Sequence, residues 1–254
     1  MEVFNSELSV LIPAYNEEKR IGPCLERLSA FLRANHPSSE IIVSSDGSRD
    51  RTEMIVREYM DKQPEVPVRV FHSPKRLGKG GGFKRAIQAA EGRYTVLIDT
   101  DLPVPLETIT RAVRELENGT DVVAGSRLAK GGSRRDRVSR KFMSYGFHLL
   151  VRLLFGMRLD SQCGFKGVKT NLGRRVFARV VNPGLAFDVE FLIRAKQLGA
   201  NIVEFPVRWE NGTGSSLRLF RDSFGMLREL LRILVCVQLS RDAHSLNADE
   251  SMMR

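Results

Sequence analysis

Asp99-Thr100-Asp101 directly follows a short β-rich run, Tyr94–Ile98. Two carboxylates one residue apart at a strand end can converge on a hard cation. Mg2+ and Mn2+ take oxygen ligands, commonly one or two carboxylates completed by substrate phosphates, and such a cation offsets the charge of a departing diphosphate. Asp-x-Asp is short and common, so a turn of solvated aspartates is the plain alternative. Asp46-Gly47-Ser48 also follows a strand-like run, Glu40–Ser44. Asp46 suits hydrogen bonds from a base N–H or from ribose hydroxyls, and equally an Asx-type turn ahead of a helix capped by Asp50. Pro13-Ala14-Tyr15-Asn16-Glu17-Glu18 ends the first run. Tyr15 suits packing on a nucleobase or ribose and Glu17 suits ribose hydroxyls. Acids in a first helical turn also favour helix initiation, which accounts for Glu18 but not for Tyr15. Gly78-Lys79-Gly80-Gly81-Gly82 puts Gly-rich backbone ahead of a helix, an arrangement that suits anions. It is not a P-loop, because no Ser or Thr follows Lys79, and Phe83 breaks the G-x-G-x-x-G pattern.

The elements that must position these residues alternate. Strand-like Leu8–Ile12, Glu40–Ser44, Val68–Phe71, Tyr94–Ile98 and Asp121–Ala124 are separated by helical patterns at Glu17–Arg33, Asp50–Lys62, Lys79–Ala90 and Leu106–Glu117. That rhythm predicts an α/β fold, a mostly parallel sheet with helices on both faces. Ligands in such sheets bind beyond the C-terminal strand ends, where Pro13–Glu17, Asp46–Asp50, Asp99–Asp101 and Gly125–Arg127 fall. The second half loses the rhythm. A basic loop, Arg127–Arg137, precedes an apolar helix at Val138–Met157, and a turn-rich stretch covers Asp160–Thr170. Helices near Leu172–Val180 and Phe187–Leu198, a strand at Asn201–Phe205, a polar loop at Val207–Ser216 and a helix at Leu217–Leu239 follow. The polar tail 240–254 is expected to be disordered.

The net charge of +10 is unevenly placed. Residues 1–126 hold 17 basic and 19 acidic side chains, a net of −2, and residues 127–254 hold 23 and 11, a net of +12. The basic half is therefore expected to meet an anionic surface. Arg127, Lys130, Arg134, Arg135, Arg137, Arg140 and Lys141 crowd one loop, and the adjoining Phe142, Tyr145, Leu149, Leu153 and Phe155 are apolar. In Leu217–Leu239, Phe220, Phe224, Leu227, Leu231 and Leu234 share a helical face, with Arg218, Arg221, Arg228 and Arg232 interleaved. Core packing with snorkelling arginines explains either helix alone. The pair beside a basic loop favours a membrane surface over nucleic acid. Three widely spaced cysteines, Cys24, Cys163 and Cys236, form no disulfide framework, and a cytoplasmic setting is expected. No signal peptide and no transmembrane run are read.

Taken together, these residues resemble a family 2 glycosyltransferase of the GT-A fold, from Leu8 to about Leu234. The segments IPAYNEE, SDGSRD and DTD are typical of that superfamily. Gly125-Ser126-Arg127, the stretch from Asp160 to Lys166 (DSQCGFK) and that from Ala186 to Glu190 (AFDVE) look like polyprenyl-phosphate sugar synthases. With GKGGG added, the similarity is greatest to the dolichyl-phosphate β-glucosyltransferases, and mannose synthases are near relatives. The resemblance implies one catalytic domain over 1–239, with a nucleotide-sugar half (8–126) and an acceptor and membrane-interface half (127–239). It implies inverting transfer of a sugar, glucose from UDP-glucose foremost, to dolichyl or another polyprenyl phosphate at the cytoplasmic membrane face, with Mg2+ or Mn2+.

By position, Pro13, Ala14, Tyr15, Glu17, Asp46, Lys79, Asp99 and Thr100 would hold the nucleotide, and Asp99 and Asp101 the metal. Arg127, Arg137, Arg140, Gln162, Lys166, Asp188 and Glu190 would serve sugar and acceptor, and Asp101, Arg127 and Asp188 catalysis. Three features depart from the pattern. Ser45 stands where the family usually has a first Asp, Pro103 stands where mannose synthases often have a metal-binding Gln, and the N-terminal membrane helix of eukaryotic glucosyltransferases is not seen, which moves anchoring to the two amphipathic helices. An anionic acceptor phosphate needs no strong general base, whereas a hydroxyl acceptor would and would make Asp188 the candidate. Alternatives are a GDP-mannose-dependent synthase, a non-catalytic basic protein that binds membrane or nucleic acid, and a nucleotidyltransferase, whose Gly-rich loop would directly follow the first strand.

Overall fold

The computed structural model describes residues 4–134, 138–210 and 225–238, with backbone alone at 134 and 138–143. A seven-stranded sheet runs β3-β2-β1-β4-β7-β5-β8. Its members are β1 (Ser6–Ala14), β2 (Ser39–Asp46), β3 (Val68–Ser73), β4 (Gly92–Leu97), β5 (Val122–Ser126), β7 (Lys166–Lys169) and β8 (Ile202–Pro206). β1 pairs in parallel with β2 and with β4, while β7 runs antiparallel between β4 and β5. The order turns back on itself at β1 and β4, the place where such sheets open a crevice at their C-terminal ends. A two-stranded ribbon of β6 (Ser133–Arg134) and β9 (Arg208–Trp209) lies apart from the sheet.

Alternating side chains send the sheet's apolar residues both ways, so each face must be covered. On one face Leu8, Val10 and Ile12 pack with α1 (Ile21–Asn35), α2 (Thr52–Asp61) and α4 (Glu107–Glu117) through Leu25, Leu28, Val56, Ile109 and Val113. On the other, Leu11, Ile42 and Leu97 pack with α3 (Lys79–Gln88), α6 (Thr170–Arg179) and α7 (Phe187–Gln197), where Phe83, Phe177, Phe187 and Phe191 form an aromatic cluster. Val151 of α5 (Val138–Phe155) and Leu230, Ile233 and Val237 of α8 (225–238) join this second core. Both halves of the chain contribute to both cores.

The expected α/β architecture is present, and every strand and helix expected before Asp160 is found within a few residues of its predicted place. The stretch Asp160–Thr170, expected to be turn-rich, contains β7. The polar loop after Val207 begins with β9. α8 is described from residue 225, and its predicted start at Leu217, like the tail 240–254, lies outside the described residues. Among the described residues no helix is long and apolar enough to cross a membrane.

Candidate active site

The turns after β1 and β2 are laced together by side chains that cap the opposite backbone. Asn16 N–H donates to Ser48 Oγ at 3.1 Å and Arg49 N–H returns a bond to Asn16 Oδ1 at 2.9 Å. Glu17 N–H donates to Thr52 Oγ1 at 2.7 Å and Glu18 N–H to Asp50 Oδ2 at 3.1 Å. Asp50 also accepts the Thr52 N–H at 3.0 Å, but it stands one residue before the N-cap of α2, which is Arg51 and not Asp50 as expected. Asn16 takes φ 55°, a left-handed conformation that asparagine tolerates better than most residues. Beside this seam is a cleft of about 520 Å³ lined by residues 16–20, Arg49 and Asp50. Glu17 forks onto Arg20 at 2.5 and 2.8 Å. Burial raises the Glu17 carboxyl, Arg20 opposes that, and Asp101 and Asp99 push it further up. The face of Tyr15 expected to receive a base is covered by the Arg76 guanidinium, 3.9 Å from the ring centre.

The β4 end carries the acid pair. Thr100 Oγ donates to the Pro13 carbonyl at 2.9 Å, joining the ends of β1 and β4. Leu102 N–H donates to Asp99 O at 3.0 Å, closing a tight turn in which Leu102 has φ 45°. A leucine in that region costs roughly 1–2 kcal/mol; burial of its side chain holds it there. Asp99 pairs with Lys79 Nζ at 2.7 Å. Burial raises the Asp101 carboxyl and the like charge of Asp99 adds to it, against Arg20 and Lys79. Burial works to lower the Lys79 ammonium, but Asp99, Asp188 and Asp101 outweigh it and the net shift is upward, so Lys79 is a firm cation. Two half-buried hard oxygen donors that repel one another suit a divalent cation completed by phosphate oxygens. Among the described residues no group of three or more His, Cys, Asp or Glu could hold a metal unaided.

Asp188, at the start of α7, faces this pair from the other side. It accepts from Lys166 Nζ at 2.5 Å, and Lys166 also donates to the Cys163 carbonyl at 2.6 Å. Burial raises the Asp188 carboxyl, opposed by Lys166 and Lys79. Lys79 and Lys166 thus flank three neighbouring acids, Asp99, Asp101 and Asp188, beyond the β4 end. Gly164 lies against this cluster: a Cβ there would sit 2.6 Å from Asp99 Oδ2 and 3.2 Å from Lys79 Nζ.

Several predicted residues serve the scaffold. Asp46 is buried, and its carboxylate accepts the N–H groups of Leu77 and Gly78 (2.9 Å for Gly78). It therefore shapes the GKGGG turn, and its oxygens are engaged by backbone where a base N–H or ribose hydroxyls were expected. Glu190, expected at the sugar, serves a buried loop seat. It is fully buried beneath residues 181–182, accepting Val181 N–H at 3.1 Å and Asn182 N–H at 2.8 Å beside Arg194. Arg127 is clamped by Asp160: Nε at 3.0 Å, Nη2 at 2.8 Å and the backbone N–H at 2.9 Å. His148 Nε2 lies 3.3 Å from the same carboxylate, and Asp160 N–H donates to Glu204 at 2.6 Å. Burial works to raise the Asp160 carboxyl, but His148 and Arg127 overcome it and hold it well below the usual carboxylate range. Gln162 accepts from Ser144 at 2.6 Å. Arg137 and the Arg140 side chain lie outside the described residues. Sequence reasoning passed over Asn16, Ser48, Arg76 and Asp160. The only available signal for them was turn chemistry or an acid in a short motif, while their partners are remote in sequence.

The family model for glycosyl transferase family 2 matches residues 9–177. A dolichyl-phosphate beta-glucosyltransferase of Dictyostelium discoideum is 35% identical over 245 residues, which are 90% of this chain and 74% of that protein. The human protein of the same name is 32% identical over 242 residues, covering 89% and 74%. Among solved structures, glucosyl-3-phosphoglycerate synthase from Mycobacterium tuberculosis in complex with Mn2+, UDP-glucose and glycerol 3-phosphate has a TM-score of 0.63 at 23% identity, covering 91% of this chain and 79% of that one. Its complex with UDP has a TM-score of 0.66 at 22% identity, covering 91% and 80%. These two structures share the fold. The strand-end acids, the sheet order and the sequence relatives agree: the chain belongs to glycosyl transferase family 2.

Proposed function

We propose that this glycosyltransferase moves glucose from UDP-glucose to dolichyl or another polyprenyl phosphate, inverting the anomeric centre, while attached peripherally to the cytoplasmic face of a membrane. The observation that carries the reading is the cluster of three acids, Asp99, Asp101 and Asp188, held between Lys79 and Lys166 beyond the β4 end. The dolichyl-phosphate beta-glucosyltransferases that match nine-tenths of the chain support the sugar and the acceptor. Residues 8–126 form the donor half and 127–239 the acceptor half of one catalytic domain, and the two cores shared by both halves support this.

The chemistry is the joining of an acceptor phosphate oxygen to the glucose C1 as the bond from C1 to the diphosphate breaks. Two anionic groups must meet, so the demand is electrostatic, and preorganised charge is commonly the largest catalytic term. Asp99 and Asp101 would hold Mg2+ or Mn2+, which supplies positive charge at the donor diphosphate; the mycobacterial complex with Mn2+ and UDP-glucose supports this choice. Lys79 adds a fixed cation on the same side. Pro13, Ala14, Thr100 and the laced turns at 15–18 and 48–52 shape the nucleotide side of the crevice. Asp188, held by Lys166, orients sugar hydroxyls without having to take a proton, because the attacking phosphate is already ionised. Arg127, pre-set by Asp160, meets a phosphate at the seam, with Arg137 and Arg140 on the acceptor side.

The attachment is supported by two apolar stripes that the second core leaves outside. Tyr145, Leu149 and Leu153 lie along α5 and Leu227, Leu231 and Val235 along α8, each at spacings of four, with Leu153 74% and Val235 54% exposed. The test is transfer by purified protein to a short polyprenyl phosphate with UDP-glucose, UDP-N-acetylglucosamine or GDP-mannose, with and without Mg2+ or Mn2+. Metal-dependent transfer from UDP-glucose that Asp101→Ala abolishes is expected. Faster transfer from GDP-mannose would overturn the donor assignment, and full metal-dependent activity in Asp101→Ala would overturn the metal site.

A further inference from the structure

Residues 182–186 form a bridge between α8 and the turn that carries Lys79. On the pocket side, Gly80 N–H donates to the Pro183 carbonyl at 2.9 Å. There is no space for a side chain along that seam: a Cβ on Gly78 would strike Pro183 O, and one on Gly80 would meet Asn182 O at 2.7 Å and Phe187 Cβ at 2.5 Å. The turn that presents Lys79 is therefore seated backbone-to-backbone on this bridge, which then runs into α7 and Asp188. On the far side, Glu229 of α8 holds the bridge in shape. Its Oε2 accepts the Ala186 N–H at 2.8 Å, at the N-cap of α7, and the Asn182 side-chain amide at 3.2 Å. Asn182 Oδ1 in turn accepts the Gly184 N–H at 2.8 Å. Gly184 leaves room for the carboxylate, since a Cβ there would overlap Glu229 Oε1.

We propose that Glu229 is a positioning residue: it transmits the placement of α8 to Lys79 and Asp188 through the 182–186 bridge. It touches neither donor nor acceptor. A carboxylate at the first turn of α7 also complements that helix's N-terminal charge, so the contact orders the segment that carries Asp188. Losing it lets Lys79 and Asp188 drift relative to Asp99, and misplacement by about 1 Å costs on the order of a hundredfold in rate.

The inference rests on the transfer reaction proposed above, and its test separates the two. The wild type, Glu229→Ala, Glu229→Gln, Gly184→Ala and the Glu229→Ala/Gly184→Ala double variant are compared for kcat and for the KM of each substrate at saturating partner, with melting followed by circular dichroism. Glu229→Ala and Gly184→Ala should each lower kcat about tenfold or more with little change in melting. Glu229→Gln, which keeps an acceptor oxygen for Ala186 and Asn182, should recover most of the rate. The double variant should be no slower than the worse single, because both changes break one contact. Wild-type kcat in Glu229→Ala, or losses that multiply in the double variant, would overturn the inference. If Glu229→Ala does not fold, Gly184→Ala decides alone, and wild-type kcat there overturns it. A wild-type enzyme that transfers nothing sinks the proposed reaction instead.

Discussion

Single residues in this site are constrained by their neighbours' charges as much as by their own chemistry. Gly164 shows this most directly, because its missing side chain is what lets Asp99 and Lys79 meet at 2.7 Å. In Gly164→Ala the new methyl meets only the tips of flexible side chains, which can swing away at little cost to folding. Melting is therefore expected to change by only a few degrees, while transfer falls by about a hundredfold as the Asp99 carboxylate is displaced. Near-wild-type transfer in a folded Gly164→Ala would show that this carboxylate need not stand where it does. Asp160 is the opposite case, a fully buried charge whose removal strands Arg127. Its folded value is pulled below the unfolded one of about 3.9, so its stabilisation is present above that pH and is lost as the pH falls through the folded value. Arg127, His148, Glu204 and the Cys163 thiol are charged or titratable groups around it. Urea unfolding should find Asp160→Asn less stable by about 3–5 kcal/mol at pH 7. The gap should narrow below about pH 4, and a gap of constant size across that range would contradict the assignment.

At the scale of elements, the helix and strand rhythm up to Ser126 was readable because it depends on local periodicity. Leu8, Val10 and Ile12 alternate, and Ile109, Val113 and Leu116 recur at helical spacing. β7 was not readable. Its sequence Lys-Gly-Val-Lys looks like a polar turn, and it is a buried strand only because Asp188, 22 residues away, neutralises Lys166. The same limit applies to the site. The acids at the strand ends were visible, but the clamp between Arg127 and Asp160 and the loop seat of Glu190 each depend on partners that only the fold brings together. Glu190 illustrates how an element's anchor differs from a ligand. Glu190→Gln must turn an N–H either toward the donors of Val181 and Asn182 or toward Arg194, and leaving such buried groups unsatisfied costs about 1–3 kcal/mol. Chemical denaturation should register that loss, while kcat of the folded variant should fall less than tenfold. A kcat loss as deep as that of Asp101→Ala would place Glu190 at the substrate after all.

Across the whole molecule, the uneven charge takes on a physical shape. The near-neutral half builds the crevice where its acids are paired with Lys79 and Arg20, and the surplus of +12 lies in the half that carries α5 and α8. Both helices bury one stripe in the second core and expose another. Leu230, Ile233 and Val237 face inward while Leu227, Leu231 and Val235 stay outside, with Arg228 and Arg232 also exposed. The expectation of a choice between core and membrane was therefore too narrow, since each helix has a face for the core and a face left over. An apolar stripe bordered by arginines favours a bilayer that offers acyl chains and anionic headgroups together. Inserting a leucine that is half to three-quarters exposed contributes roughly 1–2 kcal/mol, so Leu149→Ser, Leu153→Ser and Leu231→Ser combined should weaken partitioning by at least about a hundredfold. Liposome flotation checks this. The wild type should float with anionic vesicles at low salt, less so at high salt, where charge is screened, and poorly with neutral ones. The triple variant should stay in the dense fraction yet still glucosylate a short, water-soluble polyprenyl phosphate. Equal flotation of the variant and the wild type would leave these stripes without a role at the bilayer. Equal recovery of the wild type on neutral and anionic vesicles would remove the arginines from the attachment.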